Sequence, residues 1–288
     1  MMDNENVIIA QNQEKYYEYH QSANTLFHFM GKLDYLLLSL TKRSLLPRYI
    51  LENVEYLKLE YKGKQIKWLS IPMLCFCDIN LHKLPMHVVG SGLSGNNDGY
   101  GAYGLGLDKK WCEQKGLQPI SYLNENASQT ERLQLLLNKG LDLMDQDKNK
   151  IDSSNEELYD YLITQVALSK PLWGKMKKGE AEIQKNFHDE REWRFIPNLE
   201  DSDSPEFLND VTHPEGVQYP AQQDFSDALQ EEKDAHLELE IDIIKYIFVR
   251  NLDDKEKLLE LLNIEYERRD ALEMATKIVI YDQIVKDW

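Results

Sequence analysis

Cysteine is scarce in this chain: 288 residues hold three, Cys75, Cys77 and Cys112. So small and odd a number supplies no disulfide framework and points to a reducing compartment, the cytosol. Cys75 and Cys77 sit two apart on a strand pattern and face one side, with nothing nearby to complete a zinc set. Positive charge is also short. Lys and Arg total 33 against 50 Asp and Glu, a net charge of −17 and a pI near 4.9. That balance opposes tight binding to nucleic-acid phosphates, and no Lys/Arg run forms a local patch. It suits solubility or a basic protein partner. No apolar run reaches the roughly 18 residues that would suggest a membrane helix. The start, Met1-Met-Asp-Asn-Glu-Asn, is acidic and polar, which is wrong for a secretion signal. There is no G-x-x-x-x-G-K-[ST] and no strand-linked G-x-G-x-x-G, so the phosphate loops of P-loop and Rossmann proteins are not expected.

What is present is a core: 42% hydrophobic and 10% aromatic residues. Residues 1–24 are polar and read as a lead-in. Leu26-Phe-His-Phe29 is a short apolar burst, the first core strand. Leu33 to Leu46 is dense in leucine and reads as a buried helix that Pro47 closes. Leu57, Leu59 and Tyr61 alternate with charged residues, then turn at Lys62-Gly-Lys64 into Ile66 and Trp68, a hairpin. Ile71 to Ile79 is fully apolar and predicts a central strand. Seven glycines fall between Val89 and Gly106 (Gly90, Gly92, Gly95, Gly99, Gly101, Gly104 and Gly106), a segment where the backbone bends sharply or approaches something closely. A short helix is expected around Trp111 and a strand over Pro119 to Leu123. Residues 130–146 and 156–169 carry helical spacing, and Lys175 to Lys185 reads as a charged helix. Residues 198–236, acidic with Pro205, Pro214 and Pro220, read as an irregular surface insertion. Ile241 to Val249, Asp253 to Leu262 and Lys277 to Tyr281 predict strand, helix and strand. The expectation is one α+β domain over 25–288, a mixed or antiparallel sheet flanked by helices, with a helical insertion at 130–185.

The most informative run is Phe187-His-Asp-Glu-Arg-Glu-Trp-Arg-Phe-Ile-Pro197. As a strand it carries Glu190, Glu192 and Arg194 on one face and Arg191, Trp193 and Phe195 on the other. Two acids two residues apart can hold a sugar hydroxyl and stabilise a cationic transition state. They can equally form a plain ladder with Arg191, Arg194 or Lys178. His28, between two phenylalanines, reads either as a core histidine bonded to backbone or as a ligand-holding one. Asp145, Asp147, Asn149 and Glu156 have part of the spacing of a calcium loop, but Lys150 stands where the loop needs glycine. His82 and His87 lack a third ligand and read as non-metal.

In order, these pieces resemble the AbiGi family of bacterial abortive-infection proteins, described as antitoxin partners in two-component systems. The resemblance rests on Leu26-Phe-His-Phe29, Leu46-Pro-Arg-Tyr49, Ile71-Pro-Met-Leu-Cys-Phe-Cys-Asp78, His87, Tyr100-Gly-Ala-Tyr-Gly-Leu-Gly-Leu107, Lys110-Trp111, Pro119-Ile-Ser-Tyr122 and Asp189-Glu-Arg-Glu-Trp-Arg194. It implies a phage-defence protein with a toxin or phage protein as partner. A more distant resemblance is to ADP-ribosyltransferases of the DarT and His-Tyr-Glu kinds. It implies an ADP-ribosyltransferase-like fold and NAD as co-substrate. His28 would hold the adenosine-side ribose. Phe76, Tyr100 or Tyr103 would stack near the nicotinamide. Glu192 would be catalytic, and Glu190 would orient an acceptor, nucleic acid among the candidates. Met30 departs from the DarT pattern, which has threonine there. The alternative is an inactive chain that works by binding its partner.

Overall fold

The computed structural model describes residues 23–89, 99–144, 153–178, 181–199 and 202–287. The lead-in before Ala23, Gly90, Gly92 and Gly95, and the acidic loop 145–149 lie outside the described residues. In chain order the main elements are β1 (Thr25–Met30), α1 (Leu33–Lys42), β2 (Arg48–Asn53), β3 (Trp68–Cys77), α2 (Leu84–Val89), β4 (Tyr103–Asp108), α3 (Lys109–Gln114), β5 (Gln118–Pro119) and β6 (Ser121–Leu123). Then follow α4 (Ser128–Met144), α5 (Ser153–Ala167), β7 (Ser169–Pro171), β8 (Trp173–Lys178), β9 (Ala181–Asn186), β10 (Glu192–Phe195), β11 (Leu208–Asn209), α6 (Ala221–Leu229), β12 (Ile244–Val249), α7 (Leu252–Glu265), α8 (Arg268–Ala275) and β13 (Ile278–Ile280).

The main sheet runs β13-β12-β4-β1-β3-β10-β5, and β2 and β11 also pair with β3. All its pairings are antiparallel except β12 with β13. The α+β class with a mainly antiparallel sheet and flanking helices is therefore as expected. Alternation along β3 divides the core. Leu74 and Phe76 join one cluster with Leu36 and Leu40 of α1 and Leu258 and Leu262 of α7. Leu69, Ile71 and Met73 join another, with Leu137 of α4 and Leu162 and Val166 of α5. Side chains two apart on a strand share a face, so one apolar run feeds two cores. Among the described residues, no helix is long and apolar enough to cross a membrane.

Three expectations need correction. Helix α1 stops before Pro47: Arg43 adopts a left-handed conformation (φ 50°) and its N–H caps the carbonyls of Leu40 and Ser39. The chain freed there forms β2, so Pro47 introduces a strand instead of ending a helix. The described part of Lys175 to Lys185 is strand, not helix: β8 and β9 pair antiparallel, with Trp173 opposite Asn186. Residues 198–236 are more ordered than their composition suggests. They supply β11, paired with β3, and α6, and bury Leu199, Leu208, Leu229 and Ala235 with Tyr49. Their buried apolar residues are few and widely spaced in sequence, so no local period revealed them.

One irregularity of the sheet matters most. β1 pairs with β4 along its full length, from Thr25 opposite Asp108 to Met30 opposite Tyr103. With β3 it keeps a single pair, Phe27 opposite Cys77. Below that point β3 pairs with β2, Arg48 opposite Met73 through Asn53 opposite Trp68. The sheet therefore splits between β1 and β3, and the split opens a cavity of about 1020 Å³. Gly104 keeps β1 and β4 close on the far side of β1. A Cβ there would stand 2.4 Å from the His28 carbonyl oxygen, and backbone cannot yield that distance without moving. Gly104→Ala is expected to destabilise the fold by about 1–3 kcal/mol, as overpacking does. A urea titration followed by circular dichroism measures this; an unchanged midpoint would contradict the close approach.

Candidate functional site

The cavity is lined by His28, His87, Tyr100, Lys170, Glu190 and Glu192, with the β2 residues Arg48 and Glu52 and the β8 residues Lys175 and Lys177. Its most constrained wall begins where the acid-rich run turns. Phe187–Glu190 is a 3-10 turn, Arg191 is left-handed (φ 46°), and only Glu192–Phe195 is strand. The single continuous strand expected over this run is thus corrected. Glu192 and Arg194 do share a buried face, and Trp193 and Phe195 pack on the opposite one. The turn brings Glu190 back beside Glu192, where alternation alone would have placed it two residues upstream.

The two acids meet cations rather than solvent. Lys170 Nζ lies 2.7 Å from Glu192 Oε2, 3.5 Å from Glu190 Oε2 and 3.6 Å from Glu52 Oε1. Arg194 Nε lies 2.7 Å from Glu192 Oε1. Its Nη2 is 3.1 Å from Glu52 but off the line of a hydrogen bond. Lys185 Nζ stands 2.8 Å from Glu190 Oε1 and donates to the Tyr100 hydroxyl at 2.7 Å, and that hydroxyl donates to Glu190. Three carboxylates and three cations meet in this cluster. Of the cations a plain ladder would use, Arg194 pairs with Glu192, and Lys170 and Lys185 join it. Burial alone would raise the Glu192 pKa; Arg194 and then Lys170 outweigh it, and hold the carboxyl far below its usual range. Burial works against the charge of Lys170 as well, yet Glu192, Glu52 and Glu190 raise its pKa well above normal.

His28 lies at the split. Its Nδ1 donates to the Cys75 carbonyl oxygen at 2.8 Å, and its ring stands 5.3 Å from that of Phe76. Burial lowers its pKa, with that hydrogen bond opposing. A neutral imidazole with Nδ1–H engaged carries its lone pair on Nε2, an acceptor for a ligand hydroxyl. By register Phe27 shares a face with Cys77, and Cys77 with Glu192, so His28 sits on the alternate pleat from Glu192. Both nevertheless line the cavity, because the strands part there. The His87 ring stacks on Tyr100 at 4.7 Å, and burial lowers its pKa to about 4. Burial, then the neighbouring Glu190, raises Tyr100 well above the usual phenol range.

Of the sequence candidates, Glu192, Glu190, His28, Phe76 and Tyr100 line one cavity. Tyr103 does not: its hydroxyl donates to Asp254 on α7 at 2.9 Å. Sequence reasoning missed Lys170, Lys185 and Glu52. Of these, Lys170 alone carried a local signal, a single charge between Leu168 and Leu172. Among the described residues, no group of three His, Cys, Asp or Glu side chains could hold a metal ion.

Comparison with known proteins places this geometry in a family. Residues 43–215 match a family model described as "Putative abortive phage resistance protein AbiGi, antitoxin". The chain therefore belongs to the AbiGi family of abortive phage resistance proteins. It is similar to the abortive phage resistance protein AbiGi of Lactococcus lactis subsp. cremoris, at 34% identity over 259 residues. That alignment covers 84% of this chain and 99% of the relative. No solved structure matches the chain.

The cluster sets a stability and a pH requirement. Arg194→Met leaves Glu192 and Glu52 short of one buried cation and is expected to cost about 3–5 kcal/mol. The Glu192 carboxyl is depressed on folding, so its contribution is complete above its ordinary value of 4.5 and is lost as pH falls below it. Urea midpoints measured from about pH 6 down to 3 should fall for the wild type and fall less for Glu192→Gln. Equal slopes would show that Glu192 does not carry this dependence.

Proposed function

We propose that this chain serves abortive phage resistance as an ADP-ribosyltransferase-like protein whose split-sheet cavity takes NAD. The observation that carries the reading is the lining of that cavity by His28 from the first core strand together with Glu192 at the start of a later one. Those are the two positions that the transferase resemblance asks for. Glu192, kept ionised by its neighbours, is suited to stabilise the positive charge that nicotinamide departure leaves on ribose. Glu190, two residues earlier and tied to Tyr100, is suited to orient an acceptor. His28, neutral and accepting through Nε2, suits a ribose hydroxyl. In a chain of net charge −17, the same cavity gathers Arg48, Lys175 and Lys177 beyond the buried cluster, which favours a ligand bearing phosphates. Phe76 and Tyr100 are the aromatic groups available to a nicotinamide ring.

A second reading rests on a different observation. Both oxygens of Glu192 already carry a cation, Arg194 on one and Lys170 on the other. A chain with such a site could act by binding alone, as the family description "antitoxin" suggests. Its partner would then be a basic toxin or phage protein recognised by the acidic surface.

The two readings part in one experiment. The purified chain is incubated with labelled NAD and bacterial lysate, and transfer of label and release of nicotinamide are followed. Transfer that drops about 10²-fold or more in Glu192→Gln, with its melting temperature checked, is the expected result. No NAD binding and no turnover, with tight binding to a basic protein encoded beside it, would overturn the enzyme reading in favour of the partner one.

A further inference from the structure

Lys170 is the residue most deeply committed to the site and the one for which the resemblance supplies no role. Its ammonium is buried and lies within 3.6 Å of carboxylates from β2, the 187–190 turn and β10. It also stands 4.6 Å from the centre of the Phe187 ring. Its backbone is fixed by the same strand that fixes Glu192. In the parallel β6–β7 pair, Lys170 lies opposite Tyr122. The Glu192 backbone N–H donates to the Tyr122 hydroxyl oxygen at 2.7 Å. Three residues before Lys170, the Ala167 carbonyl accepts a hydrogen bond from Arg194 Nη1. The segment from the end of α5 through β7 thus holds both charged side chains of β10, Glu192 through Lys170 and Arg194 through the Ala167 carbonyl. A lone lysine at this depth would be a liability, since burial opposes its charge. Beside three carboxylates it is required, because without it the acids would repel one another.

We propose that Lys170 is a positioning residue. It holds Glu190 and Glu192 side by side as a charged pair on the cavity wall, so that Glu192 meets a ribose hydroxyl as a carboxylate and not as an acid. This deepens the NAD reading and rests on it. The ammonium has room to serve: it is 2.7 Å from Glu192 but already within 3.5 and 3.6 Å of Glu190 and Glu52. A hydroxyl donating to Glu192 Oε2 shifts Lys170 toward those two without uncovering any of the three. Among the described residues, the other titratable groups around the trio are Arg194, Lys185, Tyr100, His87, Cys75, Cys77, Tyr122 and Tyr56; Arg48, Lys175 and Lys177 line the same cavity but are engaged with Gln223, Glu55 and the Trp68 ring. None of them supplies a replacement cation. Lys185 and Arg194 are already engaged with Glu190 and Glu192. The tyrosines and thiols are held neutral by burial, and so is His87.

Replacing Lys170 with methionine leaves three buried acids beside two cations, and the trio is expected to keep one proton into the neutral range. NAD affinity, measured by calorimetry between about pH 5.5 and 8, should be flat for the wild type. In Lys170→Met it should be at least about tenfold weaker at the acid end and recover as pH rises. Lys170→Arg, which keeps the charge, should restore the flat profile. A Lys170→Met profile parallel to the wild type, whether equal or uniformly lower, would overturn the proposal, since a purely structural lysine moves affinity but not its pH dependence. Should the methionine variant fail to fold, Lys170→Gln carries the same expectation. A second measurement needs no NAD. An acid whose folded pKa lies above its unfolded value stabilises below the unfolded value and loses that contribution as pH rises through the folded one. The urea midpoint of Lys170→Met, relative to wild type, should therefore fall as pH rises from about 6 to 8. A constant difference would overturn the charge role of Lys170 even where wild-type NAD binding stands. Wild type that binds no NAD would overturn the NAD reading and with it the use of Lys170 there, whatever the midpoints show.

Discussion

Six charges buried together at the end of a sheet are the constraint around which the rest of this molecule is arranged. Removing even one carboxylate from water costs several kcal/mol unless it is paired and hydrogen-bonded. Here the compensation is collective. Glu52, Glu190 and Glu192 are covered by Lys170, Lys185 and Arg194, and each acid touches at least one cation. The members come from β2, β7, β9, β10 and the turn before β10. No one of these elements can shift without stranding a charge. A cluster of this kind is weak as a source of net stability, because apolar residues of like volume would serve as well or better. Its strength is geometric. It presents two carboxyl groups at a fixed place on the wall of a cavity.

The cavity itself comes from the way the sheet is divided. β3 is too long for one neighbour on each side. Its first six residues pair with β2, and Cys77 alone with β1. Between those contacts the strands separate, and His28 bonds across the gap to a carbonyl rather than completing a ladder. Two apolar clusters on the two faces of β3 hold the halves in place, one closed by α1, α7 and α8, the other by α4 and α5. A largely apolar cavity with a few convergent charged groups is a common setting for ligand binding. It also brings His28 and Glu192 to one space although alternation sends them to opposite pleats.

Some of this was legible in the chain. Ile71 to Ile79 announced a buried strand because nothing polar interrupts it before Asp78. Asp253 to Leu262 announced a helix because its acids sit at the positive end and its leucines recur at helical spacing. Glu190 and Glu192 drew notice because acids are costly at the head of an apolar strand. Other parts were silent. The β8–β9 hairpin alternates lysine with residues of no consistent polarity, so 175–185 read as helix. α6 buries little beyond Ser226 and Leu229, too few positions to set up a period. Lys170 and Glu52 were not among the sequence candidates, since little that is local marks a charge whose partners lie far along the chain.

From residue order alone came the class of fold, the central strand, the acid pair, the lone histidine of the first strand and the kinship to phage-resistance proteins. Each is a property of short-range pattern or of ordered motifs, which a linear string preserves. Only the folded chain decided that Glu190 leaves the strand and returns beside Glu192, that Tyr100 joins them and Tyr103 does not, and that a lysine from β7 completes the set. Those outcomes depend on which distant charges are buried together, and the cost of desolvation acts on neighbours in space, not on neighbours in sequence.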